Sequence, residues 1–274
     1  MKTAVITGGN GGIGKATATQ LAKKGYRVIV HGREPEKTKQ AVNEIVSASG
    51  NKNVEYVIAD ISSIAGMKAL AEEIKQKTDT INALVLSTGV ILNKHILSID
   101  GLELGFVIQY LSRFAAVHFL MDELKKGKAR IVHVAAPTLK KATIHFDNLA
   151  LKGEFTMMKA MGQEMLANHL MTQEFAKRIP ANEMVMNIFH VGIAKTGIAN
   201  QAGFMFKALV NMFGTSPDKA CSNAVYLASD DTVNFTGYFL DKPGKPQHKI
   251  KVAHDAVMAS KLWDRSLELL KQAV

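Results

Sequence analysis

The stretch Ala4-Val5-Ile6-Thr7-Gly8-Gly9-Asn10-Gly11-Gly12-Ile13-Gly14 decides the fold. Three apolar residues run into a glycine cluster, and a helical pattern follows from Lys15 to Gly25. The spacing predicts a strand, a tight turn and a helix N-terminus. Such a terminus presents free N–H groups and a partial positive charge, which suit the pyrophosphate of a dinucleotide. Gly8 permits the turn, Gly12 lets the backbone approach the phosphates, and Gly14 lets the helix pack close to the strand. Arg27-Val28-Ile29-Val30-His31 reads as the next strand, which completes a β-α-β unit. The plainer alternative is a glycine-rich turn that holds nothing.

Outward from this unit, apolar β-rich runs alternate with helical patterns. The expected strands are Ala4–Thr7, Val28–His31, Val54–Ala59, Ala83–Ser87, Ile131–Ala135, Met184–His190 and Gly237–Leu240. That alternation predicts an α/β fold, a Rossmann-type doubly wound parallel sheet with helices on both faces. No linker, repeat or low-complexity tract interrupts it, so residues 1–274 are expected to form a single domain. Ligands should collect at the carboxyl ends of the strands.

Composition narrows the function classes. Of 274 residues, 47% are hydrophobic and 21% charged, ordinary values for a water-soluble globular chain. The net charge of +10 favours anionic partners. The basic residues are scattered, with short runs at Lys125-Lys126-Gly127-Lys128 and Lys140-Lys141, so no nucleic-acid face is expected. A single cysteine, Cys221, excludes an internal disulfide and a cysteine-rich metal site, and fits a reducing, cytoplasmic setting. No metal site is expected. No apolar run reaches the ~18 residues of a membrane span, and with a strand expected to begin near Met1 no signal peptide is expected.

The second strand ends at His31-Gly32-Arg33. An acidic residue here would suit a ribose 2′-hydroxyl, whereas an arginine suits a 2′-phosphate. Arg33 therefore points to NADP(H), unless it is an ordinary surface arginine. Asp60-Ile61, after the third strand, is placed to hold an adenine ring; Asp60 is equally suited to cap the following helix.

Thr7-Gly8-(three residues)-Gly12-Ile13-Gly14, Asp60-Ile61 and Ser87-Thr88-Gly89 together resemble the short-chain dehydrogenase/reductase family. Arg130-Ile131-Val132-His133-Val134, Ile144-His145-Phe146-Asp147-Asn148-Leu149, Leu166-Ala167-Asn168 with Thr172-Gln173-Glu174, Ala224-Val225-Tyr226-Leu227-Ala228 and Leu262-Trp263-(two residues)-Ser266 resemble its retinol-dehydrogenase-like branch. The resemblance covers nearly the whole chain. It implies cofactor contacts from Thr7, Gly8, Asn10, Gly12, Ile13, Gly14, Arg33, Asp60, Ile61, Ser87, Thr88, Gly89, Gly192 and Thr196. It also implies a homodimer or tetramer, built through the helices after the fourth and fifth strands.

The same resemblance implies an Asn-Ser-Tyr-Lys catalytic set, and here the sequence departs from it. The flanking residues place Gln109 at the asparagine, Ala136 at the serine, and Met161 and Met165 at the tyrosine and lysine. Leu86 replaces the first asparagine of the usual Asn-Asn-Ala-Gly, and Val191 the proline before Gly192. No tyrosine lies between Tyr110 and Tyr226, so no shift of register restores the pair. Met161 and Met165 share a helical face and cannot donate a proton. They suit an apolar pocket or plain core packing. Among other candidate acids, His133 is expected to face away from the site by strand alternation. Lys159 and Glu164 are expected on other helix faces than Met161. His145 and His169 are also near in sequence, and Tyr110, beside Gln109, is within reach of the pocket; a surface or structural role is the alternative for all of these residues. The apolar segment Gly203–Phe213 lies where the family carries a substrate-covering helix; ordinary packing is the alternative.

The resemblance and these departures from it lead to the expectation of an NADP(H)-binding homologue of that family without its usual catalytic residues. One expectation is an enzyme of altered chemistry on a small apolar substrate: iminium or enone reduction, or a non-redox cyclisation or isomerisation. The other is a catalytically inactive NADP(H)- or ligand-binding regulatory protein.

Overall fold

The computed structural model describes residues 1–192, 194, 214–243 and 249–271. Thr196 and the Gly203–Phe213 segment lie outside the described residues.

Strands β1 (Thr3–Thr7), β2 (Arg27–Gly32), β3 (Val54–Ile58), β4 (Ala83–Leu86), β5 (Arg130–Ala135), β6 (Val185–His190) and β7 (Tyr238–Leu240) begin and end within one residue of the expected ones. They belong to one eight-stranded sheet of order β3-β2-β1-β4-β5-β6-β7-β8. β1 to β7 pair in parallel, whereas β8 (Lys249–Lys251) runs antiparallel to β7. β8 is not expected from the sequence: Lys-Ile-Lys is short and exposed, an edge strand with charged side chains and little apolar signal.

Period-two alternation divides the core between the two faces of the sheet. Val5, Ile29, Leu84, Leu86 and Ile131 face one way. They pack with α3 (Ile64–Lys77), α5 (Ser112–Phe119), α7 (Met157–Arg178) and the C-terminal α10 (Ala256–Lys271). Ala4, Ile6, Val28, Val30, Val85 and Val132 face the other way, against α1 (Gly12–Lys23), α2 (Pro35–Ser49) and α9 (Ser222–Ser229). Among the described residues, shorter α-helices are α4 (Leu104–Phe106), α6 (Met121–Lys126) and α8 (Pro217–Ala220). The strand order reverses between β1 and β4, which opens a crevice at their carboxyl ends.

Helix α10 lies across α5 and α7. The Phe114 and Trp263 rings meet edge-on at 5.0 Å, the Arg178 guanidinium sits 5.1 Å from the Trp263 ring, and the Tyr110 and Ser266 hydroxyls are 2.7 Å apart.

Helix α1 can approach β1 only because residue 14 lacks a side chain. A Cβ on Gly14 would lie 2.3 Å from the Gly8 carbonyl oxygen. Gly14→Ala is therefore expected to destabilise the protein by ~1–3 kcal/mol, as overpacking against backbone does. Urea unfolding measures this; an unchanged midpoint would show that α1 yields at no cost.

Candidate functional site

The crevice between β1 and β4 is lined by the glycine loop. Gly8 has φ +65° and Gly12 φ +50°, the left-handed region that glycine adopts without strain. A Cβ on Gly8 would lie 3.0 Å from the backbone and hydroxyl of Thr88, so the loop lies directly on Ser87-Thr88-Gly89. The Thr7 hydroxyl accepts from the Ser87 N–H at 3.2 Å and fixes the start of that segment. Ile13 is buried beneath the loop. The N-cap of α1, Gly11, supplies no side-chain hydrogen bond, and the first turn holds no acidic residue. The helix N-terminus is thus open to an anion. Gly192, with φ +69°, follows β6 and packs on Pro243.

At the end of β2, Arg33 is exposed. The Asp60 carboxyl is held below its ordinary value. Burial opposes its ionisation, but hydrogen bonds from Ser62 and the charges of Arg33 and His31 outweigh that cost. Asp60 does not cap α3. It accepts the Ser62 N–H at 2.9 Å in a local turn, while Ser63 caps the helix by accepting from the Gly66 N–H. Ile61 is buried beside it.

Met161 and Met165 lie on successive turns of α7, both partly exposed. Ala136 follows β5, and its carbonyl accepts from His169 Nε2 at 3.0 Å. Gln109 sits in a π-helical turn, Val107–Leu111, between α4 and α5. Such turns widen a helix by one residue and often occur at functional sites.

Behind the methionines lies a buried polar network. Gln109 Nε2 donates to the Glu164 carboxyl. Asn168 Nδ2 donates to the Gln109 and Glu164 carbonyls at 3.0 and 2.8 Å. Its amide oxygen is therefore the acceptor facing His133 Nδ1 at 3.1 Å, which places the His133 proton on Nδ1. Arg113 donates to the Thr88 carbonyl at 2.9 Å, tying the network to the crevice. Glu103 accepts from the Gly105 and Phe106 N–H groups at 2.9 and 2.7 Å. Its carboxylate meets that of Glu164 over Gly105, where an added Cβ would touch both.

Burial, and then the neighbouring Glu103 charge, push the Glu164 carboxyl up to about 8, against the pull of Gln109 and Arg113. Burial, reinforced by Arg113, lowers His133 to about 3; burial lowers His169 to about 4. At neutral pH all three are uncharged.

Two expectations fail here, and for Tyr110 the structural alternative holds. His133 does not face away: it lies on the same sheet face as Ile131 and meets α7, the helix that carries the methionines. Glu164 is not on a separate face, because it follows Met161 by three residues and turns toward Gln109. Tyr110 does not reach the pocket. It is fully buried against Ser266 of α10, and burial raises its pKa. Lys159 is, as expected, outward, paired with Glu154 at 3.0 Å. The polar stripe Glu164, Asn168, Thr172, spaced at i, i+4, i+8 beside the methionines, is the signal in the sequence that reveals the network.

Comparison with known proteins agrees with this architecture. A family model described as short chain dehydrogenase matches residues 2–150. Retinol dehydrogenase 13 of Mus musculus is 30% identical, across 100% of this chain and 85% of that protein. Polyprenol dehydrogenase of Homo sapiens is 25% identical, across 98% and 84%. Among solved structures, an uncharacterised protein from Mycobacterium paratuberculosis superposes with a TM-score of 0.75 at 24% identity, covering 99% of this chain and 94% of that one. An NADP-bound 3-oxoacyl-(acyl-carrier-protein) reductase from Agrobacterium tumefaciens gives 0.69 at 19%, covering 87% and 91%. The chain belongs to the short-chain dehydrogenase family. Its curated relatives include retinol dehydrogenases, and its fold is the family's Rossmann-type sheet.

The buried network makes stability depend on pH. Folded Glu164 holds its proton to about pH 8, unfolded to its ordinary 4.5, so its contribution is lost progressively as pH rises from 4.5 and is gone above about 8. His133 and His169 titrate far below their ordinary 6.5, so their contribution is lost as pH falls beneath 6.5. His31, His118 and His254 are shifted in the same direction. The thermal midpoint is expected to peak at roughly pH 6–7. Glu164→Gln, which mimics the protonated carboxyl, should remove the alkaline decline and keep the acid one. An alkaline decline that survives in the variant would assign it to another group.

Proposed function

We propose that the protein binds NADP(H) through the crevice at the ends of β1, β2 and β4, and works without the family's usual serine, tyrosine and lysine. The observation that carries the first part is the uncapped α1 N-terminus under a glycine loop, with exposed Arg33 at the end of β2. Thr7, Gly8, Asn10, Gly12, Ile13, Gly14 and Arg33 would hold the phosphates and the adenosine ribose. Asp60 and Ile61 would hold the adenine, and Ser87, Thr88, Gly89, Gly192 and Thr196 the nicotinamide end. The relatives that are NADP-bound in their own structures support this reading. Bound NADPH supplies a hydride.

The second part rests on register. If the flanks of the family motif place the catalytic set at Gln109, Ala136, Met161 and Met165, the open helix face presents thioethers rather than a hydroxyl and an ammonium. Most polar atoms behind that face are occupied with one another, while His133 Nε2 and Arg113 Nε have no partner among the described residues. Such a face suits a small apolar substrate. It suits an iminium, which already bears its charge and yields a neutral amine, or a polarised enone. It also suits cyclisation or isomerisation in a shaped pocket. The engagement of Gln109 by Glu164 favours one other reading, a catalytically inactive NADP(H)- or ligand-binding regulatory protein. We take residues 1–274 as one domain acting in the cytoplasm. Among the described residues no helix is long and apolar enough to cross a membrane, and no group of three metal-binding side chains occurs. A homodimer or tetramer would need a face other than the parts of α5 and α7 that α10 covers.

NADPH is expected to bind more tightly than NADH, and Arg33→Ala to remove most of the preference, as measured by isothermal titration. Equal affinities in the parent protein would count against the cofactor assignment. Simple ketones and aldehydes are expected to turn over at least ~10²–10⁴-fold more slowly than with a positioned acid. The combined change Ala136→Ser, Met161→Tyr, Met165→Lys should raise that rate, whereas single changes should not. An NADPH-consumption assay over a carbonyl panel decides this. Brisk reduction by the unmodified protein would overturn the altered chemistry, and NADPH binding without any product across iminium, enone and cyclisation substrates would favour the regulatory reading.

A further inference from the structure

The glycine loop and the first turn of α2 are joined by side chains. Asn10, in the middle of the loop, donates Nδ2–H to Thr38 Oγ1 at 3.0 Å. The Thr38 hydroxyl donates in turn to the Glu34 carbonyl at 2.7 Å. Thr38 is fully buried, although Pro35, Glu36 and Lys37 before it are all exposed. Gly32 lies under the pair: a Cβ there would sit 2.1 Å from Thr38 Oγ1 and 2.4 Å from Asn10 Nδ2. The missing side chain at position 32 is what lets the clasp close.

The clasp brackets Arg33. The residue before it is held by the Ala59 N–H, which donates to the Gly32 carbonyl at 3.3 Å. The residue after it is held at its carbonyl by both the hydroxyl and the N–H of Thr38, the latter at 3.0 Å. One step further back, the Gly9 N–H donates to the His31 carbonyl at 3.0 Å, so the loop and the strand end move as a unit. The acidic neighbour, Glu34, is engaged by Lys37 at 3.7 Å. Arg33 itself is exposed, and among the described residues it forms no ion pair. Its long side chain is free to swing, but its backbone is fixed on both sides. A cation presented from a fixed backbone loses less conformational freedom when it meets an anion than one carried on a loose turn.

We propose that Asn10 and Thr38 are positioning residues for the 2′-phosphate of NADP(H): the clasp they form fixes the Arg33 backbone, so the choice between NADPH and NADH depends on the clasp as well as on the arginine. This rests on the NADP(H) reading above. It changes the part assigned to Asn10, whose amide N–H groups are committed at least once within the protein before any cofactor arrives. It also gives Gly32 a reason beyond the strand end: an alanine there would force the two side chains apart.

The test is titration of NADPH and NADH into the purified protein and into Thr38→Val, Thr38→Ser, Asn10→Ala, Arg33→Ala and the Arg33→Ala/Thr38→Val pair. Valine keeps the shape of threonine and removes the hydroxyl, so Thr38→Val should weaken NADPH by about tenfold and NADH by less than twofold, the scale of one lost hydrogen bond. Thr38→Ser should restore the preference. In the Arg33→Ala background Thr38→Val should leave the NADPH/NADH ratio where Arg33→Ala alone put it. Asn10→Ala touches the loop common to both cofactors, so its informative readout is again the ratio, which should fall; it serves if the valine variant does not fold. Thr38→Val weakening both cofactors equally, or neither, overturns the clasp as a specificity device while Arg33 keeps its role. A parent protein with no preference for NADPH overturns the NADP(H) reading and the clasp's role with it.

Discussion

The contact on which the rest depends is the close approach of Gly14 to the carbonyl of Gly8. It brings the N-terminus of α1 down onto the end of β1 and leaves its first N–H groups facing the crevice. The two positive-φ glycines, Gly8 and Gly12, turn the chain within this short span. A side chain at Gly14 would collide with backbone, which has no rotamer by which to yield. The crevice, the seat of the loop on Thr88 and the placement of Asn10 above Gly32 all follow from that one approach.

A second constraint acts from behind. Glu164, Asn168 and His133 are buried with Glu103 and Arg113, and their hydrogen bonds to one another offset most of the cost of that burial, although His133 Nε2 and Arg113 Nε have no partner among the described residues. Glu164 keeps its proton beside the Glu103 charge; His133 and His169 stay neutral. The network holds the π-helical turn bearing Gln109 against α7, so the spacing of Gln109 from Met161 and Met165 is set by hydrogen bonds rather than by apolar packing alone. Arg113 reaches the Thr88 carbonyl and links this scaffold to the nucleotide crevice.

Helix α10 closes the opposite side of the same layer. Trp263 lies between Phe114 and the Arg178 guanidinium, and Ser266 takes the Tyr110 hydroxyl out of any chemistry. An aromatic ring next to Gln109 in sequence looks available for catalysis until the helix that covers it is known. The motif Leu262-Trp263-(two residues)-Ser266, read first as a mark of family resemblance, proves to be the surface by which the C-terminal helix docks.

Strand alternation, the glycine spacing and the helical runs determined the sheet, the crevice and the position of Arg33, because each is a local property of a few consecutive residues. Seven strands were legible within a residue of their ends for that reason; β8 was not, since two lysines flanking one isoleucine carry no apolar period. The partnering of His133 with Asn168, the pairing of Glu164 with Gln109, the burial of Tyr110 and the capture of Asn10 by Thr38 were decided only by the tertiary structure. Each joins residues at least 28 positions apart in the chain. Whether a buried polar side chain faces a site or a partner depends on which distant group arrives to satisfy it, and no local pattern records that.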